Sequence, residues 1–213
     1  MQSRQLLDSG EVLTRNTPLP IDKETARPLA DVIFPDEMPA VAPHFEEPLA
    51  TAARALAQEW RSASALLEMQ VEPARTCLIY GPPGTGKTTL ALWLSGQLGL
   101  PAVVARLDGL ISSFLGTTAR NVGNLFAFAS RYRCVLILDE FDAVAKVRDD
   151  PHEVGEIKRV VNALLQNMDI RRGNGLTIAV TNHEALLDPA IWRRFEIQLC
   201  VPRPGYAGRL AIL

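Results

Sequence analysis

Five short, mostly apolar runs punctuate this chain: Cys77-Leu78-Ile79-Tyr80, Ala102-Val103-Val104-Ala105, Val135-Leu136-Ile137-Leu138, Leu176-Thr177-Ile178-Ala179-Val180 and Ile197-Gln198-Leu199-Cys200-Val201. Runs of this length and apolarity suit strands buried on both faces. Long segments of helical period separate the first four, with Val122, Leu125, Phe126 and Ala129 on one, and Ile157, Val160, Val161, Leu164, Leu165 and Met168 on another. Strands alternating with helices predict an α/β fold, a parallel sheet covered by helices on both faces. At 213 residues and 47% hydrophobic composition the chain can enclose one sizeable core and is short for two, so one main domain is expected.

The stretch between the first strand and the following helix is Gly81-Pro82-Pro83-Gly84-Thr85-Gly86-Lys87-Thr88, then Thr89. Glycines there let backbone N–H groups curl around phosphate oxygens, and the helix N-terminus adds its positive end. In this pattern Lys87 contacts the β- and γ-phosphates of a nucleotide and the Thr88 hydroxyl holds Mg²⁺. The third run ends in Asp139 and Glu140, at the carboxyl edge of the expected sheet, where ligands bind in open α/β folds. Asp139 suits support of Mg²⁺, and Glu140 suits accepting a proton from an attacking water. An apolar strand followed by two acids is common; paired with a phosphate loop roughly fifty residues upstream it becomes specific. Asp142 reads as a solvated acid.

Gly-Pro-Pro-Gly-Thr-Gly-Lys-Thr followed by Leu-Asp-Glu-Phe-Asp resembles the AAA ATPases in the narrow sense. Thr181-Asn182, then Asp188-Pro189-Ala190-Ile191-Trp192-Arg193-Arg194-Phe195-Glu196, resembles that family's second region of homology. The resemblance implies a P-loop NTPase large subdomain: a five-stranded parallel sheet, ordered 5-1-4-3-2 and flanked by helices. It implies ATP and Mg²⁺ as ligands, Asn182 orienting the lytic water, and Arg193 and Arg194 reaching into a neighbouring subunit's site. The adjacent arginines are similar to those of the branch with katanin, spastin and the ESCRT-disassembling ATPases. An arginine supplied in trans requires a ring, a hexamer by resemblance, and Ser112-Ser113-Phe114-Leu115-Gly116-Thr117 resembles the loop that grips protein in the channel of such rings. On that reading Phe114, Leu115 and Gly116 contact a protein substrate, with a helix starting near Ala119; the alternative for Phe114 is a core side chain. Arg148 falls where a second channel loop is expected.

The resemblance covers roughly residues 30–213. Residues 1–45, with Pro18, Pro20, Pro28, Pro35, Pro39 and Pro43, read as an arm in which Leu29–Pro35 either docks on the core or belongs to a disordered leader. Residues 46–204 are the nucleotide-binding core, opening with one amphipathic helix through Leu49, Ala53, Leu56, Trp60 and Leu67. Residues 205–213 read as the start of a helical lid that is cut short.

A net charge of −2, from 22 basic and 24 acidic residues, offers no cationic track for a phosphate backbone, so nucleic acid is not the expected partner. No apolar run is long enough to span a membrane and no signal-peptide layout opens the chain, so a cytoplasmic, soluble protein is expected. Cys77, Cys134 and Cys200 form no CxxC pair and read as small buried residues; His44, His152 and His183 lack metal-ligand spacing. The functional expectation is an ATP-hydrolysing motor that remodels or unfolds proteins. Two other readings stay open: a nucleotide-dependent oligomerisation switch or scaffold for a separate effector protein, and a loader acting on nucleic acid.

Overall fold

The computed structural model describes residues 10–112, 115–146, 154–171 and 175–212. Six strands form one sheet: β1 (Asp31–Ile33), β2 (Thr76–Tyr80), β3 (Ala102–Arg106), β4 (Val135–Asp139), β5 (Thr177–Thr181) and β6 (Ile197–Cys200), in the order β1-β3-β4-β5-β2-β6. The last five are parallel, and their order is the expected 5-1-4-3-2 read from the opposite edge. The expectation of five strands needs correction by one. Asp31-Val32-Ile33, from the proline-rich arm, pairs antiparallel with β3, Asp31 opposite Val104 and Ile33 opposite Ala102.

Side chains alternate across the sheet and so divide the interior in two. Leu78, Val103, Ala105, Leu136, Leu138 and Ala179 meet helices α5 (Leu115–Arg131) and α7 (Val154–Arg171). Cys77, Ile79, Val135, Ile137, Ile178 and Val180 meet α1 (Leu49–Arg61) and α3 (Lys87–Gln97). The single helix expected over residues 49–67 is two, because Ser62, at φ −93° and ψ 8°, separates α1 from α2 (Ala63–Glu68). The remaining helices are short: α4 (Leu107–Ser112), α6 (Ala143–Lys146), α8 (Pro189–Trp192) and α9 (Tyr206–Ile212). Among the described residues no helix is long and apolar enough to cross a membrane.

At the amino edge of the sheet the Arg171 guanidinium is fully buried. It donates to the carbonyls of Leu176, Cys134 and Ala129 and to the Thr177 hydroxyl, joining the ends of α5 and α7 to the starts of β4 and β5. Cys77 and Cys134 are buried as expected, whereas Cys200 is exposed. β6 is an edge strand with only its Leu199 face turned inward, so Gln198 and Cys200 look outward.

The arm docks on the core at several points. Leu13, Leu29 and Ala30 are buried in the cluster beneath α5, and Glu11 pairs with Tyr132 just beyond that helix. Midway along, Asp22 is buried and saturated: Oδ1 accepts from the Glu24 and Thr25 N–H groups at 2.7 and 3.1 Å, and Oδ2 accepts from Asn121 Nδ2 of α5 at 2.9 Å. These bonds, the Thr25 N–H foremost, hold the Asp22 carboxyl below its ordinary value of 3.8. A carboxylate depressed on folding adds stability that is complete above its unfolded value and is lost as pH falls through its folded one. The native protein should therefore melt above Asp22→Asn at neutral pH, and the gap should close as pH is lowered below 3.8. Thermal melts across that range check this; a pH-independent gap rejects an ionised clasp.

Candidate functional site

Parallel strands bring their carboxyl ends to one edge, and the sequence elements that carry chemistry all leave from it. After Tyr80 the chain turns at Gly81, with φ +141°, where a Cβ would lie 2.2 Å from the Val201 carbonyl oxygen. The Val201 N–H donates to the Tyr80 carbonyl at 2.7 Å, so β6 holds the loop's entry close against it. Gly84 and Gly86 also have positive φ, and Gly86, at +92°, caps the start of α3 in the left-handed region. The loop thus presents backbone amides at a helix N-terminus.

Lys87 opens α3 and is 4% exposed; its ammonium donates to the Pro82 carbonyl at 2.6 Å. Burial pushes its pKa down, and the charges of Asp139, Glu140, Glu184 and Asp142 push back. Thr88 follows, its hydroxyl 3.1 Å from Asp139 Oδ2 at the end of β4. Glu140 sits at φ +52°, a conformation side-chain-bearing residues seldom hold, in a turn tied down on both sides. Its N–H donates to Asp139 Oδ1 at 2.8 Å, and the next N–H, of Phe141, donates to the Val180 carbonyl of β5 at 2.9 Å. Glu140 Oε2 accepts from Asn182 Nδ2 at 3.4 Å. The structure therefore brings Lys87, Thr88, Asp139, Glu140 and Asn182 together at one edge.

Asp142 is not the solvated acid expected of it. It is 1% exposed and accepts from the Thr181 hydroxyl at 3.2 Å, while Thr181 Oγ1 also receives the His183 N–H at 3.1 Å. The acid thus joins the Glu140 turn to the strand end that carries Asn182. Only the spacing Asp139-Glu140-Phe141-Asp142, which returns to the core after a one-turn bend, could have signalled this. Glu184, whose charge bears on Lys87, was likewise missed.

Asp188 caps α8, its carboxylate accepting the Ile191 N–H at 2.9 Å, with Pro189 in the first turn. At the other end Arg193 is exposed. Arg194 is half-buried, with Nη1 donating to the Ala190 carbonyl at 3.0 Å and Nε 3.5 Å from Asp169 Oδ2 of α7. Phe114 and Arg148 lie outside the described residues; Leu115 and Gly116 form the first turn of α5, which starts earlier than the expected Ala119. A small cavity beside the phosphate loop is lined by His44, Phe45, Leu49, Thr85, Pro202 and Gly208, so the end of the arm and the start of α9 flank the loop.

The sequence profile of the ATPase family associated with various cellular activities (AAA) matches residues 77–203, more than half of the chain. This chain belongs to the AAA family. It is 45% identical over 152 residues to the AAA family ATPase y4kL of Sinorhizobium fredii, an alignment covering 71% of this chain and 46% of that protein. It is 40% identical over 144 residues to a chloroplastic ATP-dependent zinc metalloprotease FTSH of Nicotiana tabacum, over 64% of this chain and 20% of the relative. The chain thus spans less than half the length of these relatives. Among solved structures the FIGL-1 AAA domain matches with a TM-score of 0.72 over 93% of this chain and 67% of that one. At 22% identity that match shows the shared fold.

The donor set of this AAA chain fits magnesium. A hydroxyl and a carboxylate, both hard oxygen ligands, lie 3.1 Å apart beside the phosphate loop, and Mg²⁺ is commonly held by one or two protein oxygens, substrate phosphates and water. The tightest steric demand falls on Gly81, where a methyl group has both a forbidding φ and a backbone oxygen in its way. Gly81→Ala should abolish nucleotide binding, read by titration with a fluorescent ATP analogue, and lower the melting temperature; unchanged affinity would mean the loop entry is not held by β6.

Proposed function

We propose that this chain is the motor core of a ring-forming AAA ATPase that hydrolyses Mg·ATP and uses the cycle to remodel or unfold protein substrates. The observation that carries the reading is the pairing, at one sheet edge, of Thr88 with Asp139 at 3.1 Å and of Glu140 with Asn182 at 3.4 Å. The first pair suits the cation and the second the water, and Lys87 lies between loop and acids.

In this mechanism the backbone amides of residues 81–88 and the Lys87 ammonium bind and orient the triphosphate. Thr88 and Asp139 would hold Mg²⁺, which would offset phosphate charge. Asn182 orients a water in line with the γ-phosphorus. Glu140 accepts a proton from that water as the new P–O bond forms and the bond to the β–γ bridging oxygen breaks, leaving ADP and phosphate. The fixed turn around Glu140 keeps the base in place without reorganisation at the moment of reaction. An arginine from an adjacent copy offsets charge on the equatorial oxygens. FtsH relatives, named as ATP-dependent metalloproteases, favour a protein substrate over nucleic acid.

Two variants separate the tasks. Lys87→Ala should lose nucleotide binding altogether. Glu140→Gln should bind ATP with near-native affinity while turnover falls by about 10²–10⁴, the usual contribution of a general base. Nucleotide titration and phosphate release on both proteins check this, and native turnover in Glu140→Gln rules out the assigned base.

A further inference from the structure

The pairing of β4 with β5 runs from Leu136 opposite Thr177 to Leu138 opposite Ala179 and stops there. Glu140 and Asn182 both lie beyond it, one on the chain leaving β4 and the other on the chain leaving β5. Past the ladder, the Phe141 N–H donates to the Val180 carbonyl at 2.9 Å, and the Thr181 hydroxyl donates to Asp142 Oδ1 at 3.2 Å. The second bond joins side chains of residues that are 1% and 0% exposed. It falls two residues after Glu140 on one chain and one residue before Asn182 on the other. Its surroundings are fixed as well: Thr181 Oγ1 accepts the His183 N–H at 3.1 Å, and the Ala143 N–H closes the turn on the Glu140 carbonyl at 3.0 Å.

We propose that Asp142 and Thr181 are positioning residues for hydrolysis: their buried hydrogen bond sets where Glu140 stands relative to Asn182, and the bond, more than the charge of Asp142, is what turnover needs. This rests on the ATPase reading above. Glu140 Oε2 and Asn182 Nδ2 are 3.4 Å apart, long for a hydrogen bond, so the two groups do not hold each other firmly. Glu140 also sits at φ +52°, a conformation that persists only where its surroundings over-determine it. A displacement of about 1 Å at a reacting group can cost about 10²-fold in rate, so a brace this close bears directly on turnover. Asp142 and Thr181 are sealed from solvent and act through Glu140 and Asn182, not on the nucleotide. Asp142 does add to the charge around Lys87, whose pKa burial lowers and the neighbouring acids raise. An asparagine at 142 separates the two contributions, because its amide oxygen can still accept from Thr181 while the charge is gone.

Asp142→Ala, Asp142→Asn, Thr181→Val, Thr181→Ser and the double Asp142→Ala/Thr181→Val, each as the full chain, test this by steady-state kcat, affinity for a fluorescent ATP analogue and melting temperature. Asp142→Ala and Thr181→Val should each lower kcat by about ten- to a hundredfold, with affinity within about twofold of native, because the phosphate loop is untouched. The double should be no slower than the worse single variant, since both remove one bond. Thr181→Ser and Asp142→Asn should stay within about threefold of native kcat, each keeping a donor or acceptor for the other residue. Thr181→Val preserves side-chain shape, so it tests the bond even where Asp142→Ala fails to fold. In a Glu140→Gln or an Asn182→Ala background the loss from Thr181→Val should shrink to about twofold, because the geometry being set no longer exists.

The positioning role is overturned if folded Thr181→Val keeps native kcat, or if its loss is undiminished in both the Glu140→Gln and Asn182→Ala backgrounds. It is also overturned if Asp142→Asn is as slow as Asp142→Ala, which would make the charge the operative feature, or if affinity falls in step with kcat, the sign of a general structural loss. Failure of the ATPase reading has a different signature: the native chain turns over no ATP, or Glu140→Gln turns it over at the native rate. A native rate in Thr181→Val beside a slow Glu140→Gln removes the brace alone.

Discussion

Everything at the site depends on the parallel pairing of β2 between β5 and β6. Parallel neighbours oblige the chain to cross back over the sheet after each strand, so every strand leaves its carboxyl end at the same edge. The order β3-β4-β5-β2-β6 then decides which exits are adjacent. The loop after β2 has the Asn182 exit of β5 on one side and Val201 of β6 on the other, and the acids leaving β4 lie one strand further on. The closeness of β6 is why position 81 tolerates no side chain, and the return of α3 across the sheet carries Thr88 to Asp139.

The electrostatics of the edge follow from the same crowding. One buried ammonium lies in the field of Asp139, Glu140, Glu184 and Asp142. So acidic a surround is unfavourable for a bare polyphosphate and favourable for one arriving with its divalent counter-ion. The acids differ in environment: Asp142 is sealed beneath the turn by Thr181, whereas Glu140 and Asp139 remain half-buried and reachable. Burial and hydrogen bonding, more than residue type, therefore separate the acid that braces from the acids that face a ligand.

What was legible in the sequence was what is contiguous. Gly81–Thr88 is one unbroken stretch between a strand and a helix, and Asp139 with Glu140 ends an apolar run, so both could be placed without tertiary information. The five parallel strands carried the same kind of signal. The sixth did not: Asp31-Val32-Ile33 has three residues, follows Pro28, precedes Pro35, and becomes a strand only because β3 offers a free edge. Cys200 and Asp142 were misread for one reason. Exposure of Cys200 depends on β6 having a neighbour on one side only, and burial of Asp142 depends on a bend delivering it to Thr181. The unequal tethering of Arg193 and Arg194 was illegible because Asp169 is remote in sequence.

The arm's attachment has a consequence for the order in which the chain is made. Glu11 pairs with Tyr132, Asp22 with Asn121, and Asp31 with Val104, so the arm residues leave a ribosome well before the partners they pair with. Until β3 and α5 have emerged, Leu13, Leu29 and Ala30 have no core to enter, and β1 has no edge to pair with. The arm, made ahead of its partners, then folds after them, and during that interval its apolar side chains are exposed to whatever chaperone or aggregating neighbour is nearest.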